Sequence, residues 1–316
     1  MPDVYTITLN PVVDLIYCVG SFEKGDTVRS RAFECVPAGK GLNVSTVLAA
    51  LGVASTAYLL LGEADDELYR RYCGQRGVAM ESVTGDFSVR RHCTLLEDGG
   101  GVTHVQTHGD AIQKQWADEL VEQLLSDIGT DDYVVISGSL PRGLPDDYYY
   151  GLIEQCRMCG ALTILDASGP ALLHGAKSHP FAIKINQDEA QELTGRTLNG
   201  AQDEFAALQA VHQISNIPYS LITMGSRGMI AGCDEGVWRM SIEMDAREIQ
   251  DSVGCGDALA AGLVAGLVQE LPPKETFKCA VAAASAAVKH VGPGWLDRAQ
   301  VDAMAERVQS RKVGEL

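Results

Sequence analysis

Two short glycine-bearing segments hold the residues with the clearest chemical potential. The first is Asp251-Ser252-Val253-Gly254-Cys255-Gly256-Asp257, which runs straight into an apolar stretch of helical length, 258–269. At a helix start, the backbone N–H groups of Gly254, Cys255 and Gly256 have no helical acceptor. Together with the positive end of the helix dipole they make an anion site. Their small side chains let a phosphate approach closely. Asp257, in the first turn, then stands where a base must stand to take a proton from an attacking hydroxyl. A plain helix-capping role for Asp257 explains the isolated heptapeptide equally well.

The second segment is Ala38-Gly39-Lys40-Gly41-Leu42-Asn43-Val44-Ser45, a glycine turn opening another helix. Its N–H groups, the Lys40 cation and the Asn43 amide suit recognition of hydroxyls and a phosphate, although an ordinary helix entry has the same look. Two familiar nucleotide motifs fail here. Gly254 and Gly256 give G-x-G, but Leu259 stands where a dinucleotide fingerprint needs its third glycine. Gly39-Lys40 is followed by Gly41 instead of Ser or Thr, and Glu34 replaces the first glycine of a P-loop.

The elements that must position these segments alternate along the chain. Apolar runs of strand length occur at 4–9, 55–61, 133–136, 162–166, 181–185 and 219–223. Helical patterns occur at 42–51, 116–128, 152–159, 201–214, 257–269 and 276–290. Strands alternating with helices imply a mostly parallel sheet covered on both faces. Segments 15–35 and 91–105 break that rhythm and read as β-rich, so they form a small separate sheet set into the α/β body.

Composition narrows the partners. A net charge of −17 repels nucleic acid and anionic membranes, so neither is expected as a general partner. A phosphate-bearing substrate would need cations gathered locally against that field. Nine cysteines, an odd number, suggest reduced thiols and a cytoplasmic location. Cys156 and Cys159 form a lone C-x-x-C on a helix, without a second pair to complete a zinc site. His104 and His108, near His92, lie on strand and loop and are not expected to converge on a metal. The first ten residues carry no signal peptide, and no apolar run is long enough to span a bilayer.

The two glycine segments together resemble the PfkB family of carbohydrate kinases. One family signature runs from Ala38 through Asn43, Ser45 and Gly52 to Gly62. The other runs from Asp251 through Asp257 to Gly262, with Cys255 where the family prefers Ala, Gly or Ser. The closer resemblance is to its 1-phosphofructokinase and tagatose-6-phosphate kinase branch. It is carried by Thr8-Leu9-Asn10-Pro11 with Asp14, by Ser137 to Pro141, by Leu165 to Gly169, and by Lys184-Ile185-Asn186 with Glu189. The resemblance implies a ribokinase-like three-layer α/β/α sandwich with a mostly parallel central sheet and a small β-sheet lid. It implies one kinase domain over 1–316, with lid segments at about 12–36 and 88–107.

The roles implied by the resemblance form a phosphoryl-transfer site using ATP and Mg²⁺. Asp257 would be the base, and Gly254, Cys255 and Gly256 the anion hole. Asp14, Gly39, Asn43 and Ser139 would hold the sugar, and Arg29, Lys40 and Arg90 a phosphate already on it. Lys184, Asn186, Thr223, Gly225 and Gly228 would line the nucleotide. Asn186 and Glu189 would organise Mg²⁺ through water. The chain departs from the branch at Val89 and His92, where Thr and Asn are usual, which bears on the choice of sugar. The leading substrate is fructose 1-phosphate, ahead of tagatose 6-phosphate or fructose 6-phosphate. An unphosphorylated sugar or nucleoside comes next, and a non-catalytic sugar-phosphate binder last. The resemblance suggests a homodimer through the lid, with a monomer as the alternative, and a monovalent-cation requirement stays open.

Overall fold

The computed structural model describes residues 2–294 and 296–316. Strand β1 (Val4–Thr8) leads into β2 (Val12–Val19) and β3 (Ala32–Ala38), followed by α1 (Lys40–Ala50), β4 (Thr56–Gly62), α2 (Asp66–Arg76) and β5 (Ala79–Gly85). Then come β6 (Arg90–Glu97), β7 (Val102–Val105), α3 (Lys114–Asp127), β8 (Tyr133–Ser137), α4 (Tyr148–Met158), β9 (Leu162–Asp166) and α5 (Gly169–Gly175). The chain continues through β10 (Ala182–Asn186), α6 (Gln187–Thr194), α7 (Ala201–Ser215), β11 (Tyr219–Thr223), β12 (Met229–Cys233) and β13 (Gly236–Ser241). It ends with α8 (Cys255–Val268), α9 (Pro273–Ala287), α10 (Arg298–Arg307) and β14 (Gln309–Gly314).

Ten strands form one sheet in the order β14-β13-β12-β11-β10-β9-β8-β1-β4-β5. From β11 to β5 every neighbour pair is parallel, while β12, β13 and β14 add antiparallel strands at one end. Strands inside a helix-covered parallel sheet lose both faces to the core and therefore read as continuous apolar runs. One core cluster unites the sheet with α1, α8, α9 and α10, and a second unites its other face with α3, α4, α5 and α7. The result is the three-layer α/β/α sandwich that the resemblance implies. Helix α8 reaches so close to α9 because its glycines leave room. A Cβ on Gly262 would lie 2.6 Å from the Cys279 carbonyl oxygen.

The runs end in polar residues at a common edge: Thr8, Ser137, Asp166, Asn186 and Thr223. Register fixes that alignment, with Ser137 opposite Asp166 and Asn186 opposite Thr223. The carboxyl ends of parallel strands are where open α/β sheets bind ligands.

A smaller sheet, ordered β3-β2-β6-β7, is built from two separated stretches of chain. Asp14 pairs with His92, and Val12 with Arg90. The Tyr69 hydroxyl on α2 lies 2.7 Å from the Val12 carbonyl oxygen and 3.1 Å from that of Ala38, so one buried phenol ties β2 and β3 to the body. Among the described residues no helix is long and apolar enough to cross a membrane.

Candidate active site

Helices α1 and α8 start side by side, and each start depends on a glycine. Gly39 has φ 150°, and a Cβ there would lie 2.7 Å from Thr8 Cγ2. Gly254 has φ 81°, and its Cβ would meet Pro293 Cα at 2.8 Å. Both the backbone angle and the space exclude other residues. The two starts are joined by a hydrogen bond in which Asn43 Nδ2 donates to Asp257 Oδ2 at 2.7 Å. Among the described residues, the N–H groups of Gly254 and Gly256 have no acceptor, and that of Cys255 has only a long 3.4 Å turn bond to Ser252 O. Two of the three N–H groups expected to form an anion hole are therefore free, and the third is only loosely bonded.

Cys255 contributes no reactive thiolate to that turn. Burial pushes its thiol up to about 12, with Asp251 and Asp257 adding to the shift. Its sulfur lies 3.9 Å from the Asp251 carbonyl oxygen. Its use to the turn is its small volume and its N–H.

Beside Asp257 lies a three-membered ionic cluster. Asp166, fully buried at the end of β9, accepts from Lys40 Nζ and from Lys184 Nζ, both at 3.1 Å and both through Oδ1. Burial alone would raise the Asp166 carboxyl. The two ammonium groups outweigh it and hold the carboxyl below its ordinary value. Asp166, and then Asp257 after the opposing effect of burial, push the Lys40 ammonium up, so it stays charged. Lys184 presses against the glycine turn, since a Cβ on Gly256 would fall 2.8 Å from its Nζ. Lys184 thus lies beside the turn that carries the free N–H groups, and Lys40 shares its Asp166 partner.

Asp257 is buried, and burial pushes its carboxyl up to about 6. Lys40, the Asn43 hydrogen bond and Lys184 pull it down, and Asp166 pushes it further up. A carboxylate poised near neutrality is ionised at pH 7 yet basic enough to share a proton with a hydroxyl.

The small sheet lines a cavity together with residues that precede α8. Asp14, His92, Thr94 and His104 line a narrow cavity, closed from the body by Asp251 and Gly292. His92 Nδ1 is 3.7 Å from Asp14 Oδ1. Burial, then Arg90 and His104, push the His92 imidazolium below its ordinary value, so the ring is neutral at pH 7. His92 and His104 therefore do share a cavity. Among the described residues, however, no group of three or more His, Cys, Asp or Glu side chains is arranged to hold a metal.

Not every expected sugar-side residue reaches this cavity with a free side chain. Arg90 Nη2 donates to the Asn10 carbonyl at 2.8 Å, and its Nε to the Pro11 carbonyl at 3.4 Å. Ser139 Oγ accepts from Asn10 Nδ2 at 3.1 Å. Arg29 is exposed in the β2–β3 connection and has no recorded tie to the cluster among the described residues.

Of the residues expected to meet the nucleotide and Mg²⁺, Asn186 and Glu189 form a capping box at the start of α6. Glu189 N donates to Asn186 Oδ1 at 2.9 Å, and Asn186 N to Glu189 Oε2 at 2.8 Å. Thr223 Oγ1 donates to the Ile185 carbonyl at 3.3 Å. Gly225 and Gly228 shape the turn that follows β11, and Arg227 in that turn is anchored to Glu204 and Gln187. The donor set suits Mg²⁺, which keeps several waters and leans on one or two carboxylates plus substrate phosphates. Glu189 has an oxygen outside the capping box, and the buried Asp166 Oδ2 has no hydrogen-bond partner.

Sequence reasoning did not place Asp166 in the site. Its signal was the polar residue ending an apolar run, Leu162–Asp166, next to a run that ends in Ser137.

Comparison with known proteins places this arrangement. The family described as pfkB family carbohydrate kinase matches residues 5–296. The 1-phosphofructokinase of Vibrio cholerae serotype O1 is 34% identical over 310 residues, covering 97% of this chain and 96% of its own. That of Bacillus subtilis strain 168 is 31% identical over 286 residues, covering 90% and 91%. Among solved structures, phosphofructokinase-2 from Escherichia coli in complex with potassium superposes with a TM-score of 0.91 at 25% identity, covering 97% of this chain and 99% of that one. Arabidopsis thaliana ribokinase shares the fold, with a TM-score of 0.76 at 21% identity over 96% of this chain and 99% of its own. This chain is a phosphotransferase and belongs to the pfkB family of carbohydrate kinases.

Proposed function

We propose that the chain transfers the γ-phosphoryl group of MgATP to a hydroxyl of a ketohexose phosphate, converting fructose 1-phosphate to fructose 1,6-bisphosphate. The observation that carries this reading is the placement of Asp257. A buried carboxylate poised near pH 6 sits at the mouth of a helix start with free N–H donors, beside two lysines. The substrate is supported by the relatives named 1-phosphofructokinase.

In this mechanism Asp14, Gly39, Asn43 and Ser139 hold the sugar, and Asn43 also aims the Asp257 carboxylate. Asp257 accepts the proton of the attacking hydroxyl as the new O–P bond forms. The N–H groups of Gly254, Cys255 and Gly256 take up charge on the transferring group. Lys184, Asn186, Thr223, Gly225 and Gly228 line the nucleotide. Bound Mg²⁺, which Asn186 and Glu189 would hold through water, supplies charge neutralisation on the phosphates. Lys40, Arg90 and Arg29 serve the phosphate already on the sugar. Tagatose 6-phosphate or fructose 6-phosphate is the second reading; His92 in β6, where the resembled branch usually has Asn, bears on that choice of sugar.

The quaternary reading is a homodimer through the small sheet. Its outer face carries Phe33 and Tyr17 with rings 5.0 Å apart, and Phe33 and Val105 are 52% and 53% exposed. An apolar sheet face of this kind marks an interaction surface. A cytoplasmic location agrees with nine free cysteines.

The test is ADP release with MgATP, with and without K⁺, over fructose 1-phosphate, fructose 6-phosphate, tagatose 6-phosphate, fructose, ribose and adenosine. Turnover of phosphorylated sugars alone is expected. Turnover of a neutral sugar or nucleoside alone would keep the Asp257 mechanism and remove the phosphate clamp.

A further inference from the structure

The chain passes from the large sheet to the small one through only three residues, Leu9, Asn10 and Pro11, between β1 and β2. That crossing is held from two sides. From the small sheet, the half-buried Arg90 guanidinium donates to the carbonyls of Asn10 and Pro11. From the large sheet, the loop after β8 receives the Asn10 side chain, whose Nδ2 donates to Ser139 Oγ at 3.1 Å and to Leu140 O at 3.4 Å. Gly109 closes over both: a Cβ there would lie 2.7 Å from Arg90 Cγ and 3.8 Å from Asn10 Oδ1. The loop it grips is itself fixed to the cluster, because Gly138 N donates to the Asp166 carbonyl at 2.9 Å.

We infer that Asn10 is a positioning residue, a latch that seats the sugar-facing strands β2 and β6 on the loop after β8. Its carboxamide bonds the body and its carbonyl is bonded by the lid, so the wall bearing Asp14 and His92 keeps its distance from Asp257. No substrate contact by the Asn10 side chain is needed. Displacement of a positioned group by about 1 Å costs up to roughly a hundredfold in rate. A hydroxyl held by an unseated wall also competes poorly with water for the phosphoryl group. The inference rests on the kinase reading for its kinetic consequence, but not for its structural one.

The test uses the full chain and two variants. Asn10→Asp keeps the size but turns an acceptor toward Leu140 O. Ser139→Ala removes the other partner and stands in if Asn10→Asp does not fold, for the exchange measurement alone, because Ser139 is also read as holding the sugar. Backbone hydrogen–deuterium exchange without substrate is expected to speed up in β2, in β6 and at Gly138–Leu140, and to stay unchanged in β4 and β10. In the coupled assay, KM for the sugar phosphate should rise roughly tenfold while KM for MgATP stays within about twofold, and sugar-independent ATP hydrolysis should increase. Unchanged exchange in β2 and β6 overturns the latch, whatever the kinetics. An equal rise in both KM values also overturns it, since a general loss of structure would do the same. If wild type turns over none of the panel, the proposed substrate fails, and the exchange measurement still decides the latch.

Discussion

The edge of the large sheet and the small sheet are built differently. At the edge, charged groups are buried and paired: Asp166 with Lys40 and Lys184, Asp257 with Asn43. All but Lys184, which lies inside β10, stand at a strand end or near a helix start, where the backbone fixes them. The small sheet has one polar face with Asp14, His92, Thr94 and His104, and an apolar face turned outward. Its long β2–β3 connection, carrying Arg29, is exposed. Chemistry that must be held within a fraction of an ångström belongs on the rigid frame. Recognition of a particular sugar belongs on the attached wall, where a change costs the frame nothing.

The largest effect that comparison predicts is at Asp257. Asp257→Asn keeps the shape and the Asn43 neighbour but removes the proton acceptor. Turnover should fall roughly a hundredfold or more, with sugar-phosphate binding nearly intact. Unchanged turnover would take Asp257 out of the mechanism.

The pH profile sharpens the same point. The carboxyl must be ionised to act, so kcat/KM should fall as pH drops through about 6 and be flat just above neutrality. Asp166 pushes the Asp257 carboxyl up, so Asp166→Asn should move that acid limb below 6. Lys184 pulls it down, so Lys184→Met should move the limb above 6. Asp166→Asn also leaves the buried Lys184 without its counter-charge, and about 3–5 kcal/mol of stability should go with it in chemical denaturation. An acid limb indifferent to both variants would separate the cluster from the base.

On the small sheet the effects should be smaller and confined to substrate affinity. Arg90→Ala should mainly raise KM for the phosphorylated sugar and leave kcat nearly intact. A fall in kcat alone would show that Arg90 does not hold the ground state.

Much of the frame was legible from particular residues. The runs at 133–136, 162–166 and 219–223 are apolar on both sides, and each became a parallel strand. The two glycine turns were legible because positive φ and close approach leave glycine little competition. Strand β14 was not, because Gln309–Gly314 is a largely exposed edge strand rich in polar residues and without an apolar period. The role of Asp166 was hidden for another reason. Asp166 stood within the Leu165 to Gly169 motif, but the lysines it collects lie 126 and 18 residues away, so the motif carried no sign of its ionic role. Asn10 likewise stood in the Thr8-Leu9-Asn10-Pro11 motif without a role, since its partners lie 129 and 130 residues along the chain.

The finest test of the comparison is His92. It stands in β6 opposite Asp14, lining the cavity proposed to take the sugar, with its ring neutral at pH 7. A neutral imidazole offers one donor and one acceptor at fixed angles, while an amide offers two of each on a shorter arm. Exchanging one for the other should leave Asp257, Lys40 and Lys184 undisturbed, because none of them touches β6. His92→Asn should therefore change the ranking of fructose 1-phosphate, fructose 6-phosphate and tagatose 6-phosphate by kcat/KM, on the scale of one hydrogen bond, about tenfold or less. The acid limb should stay where it is in wild type. An identical ranking would mean that His92 does not read the sugar. A moved limb would mean that the small sheet is electrically part of the catalytic frame, and that the two regions are not as separable as their construction implies.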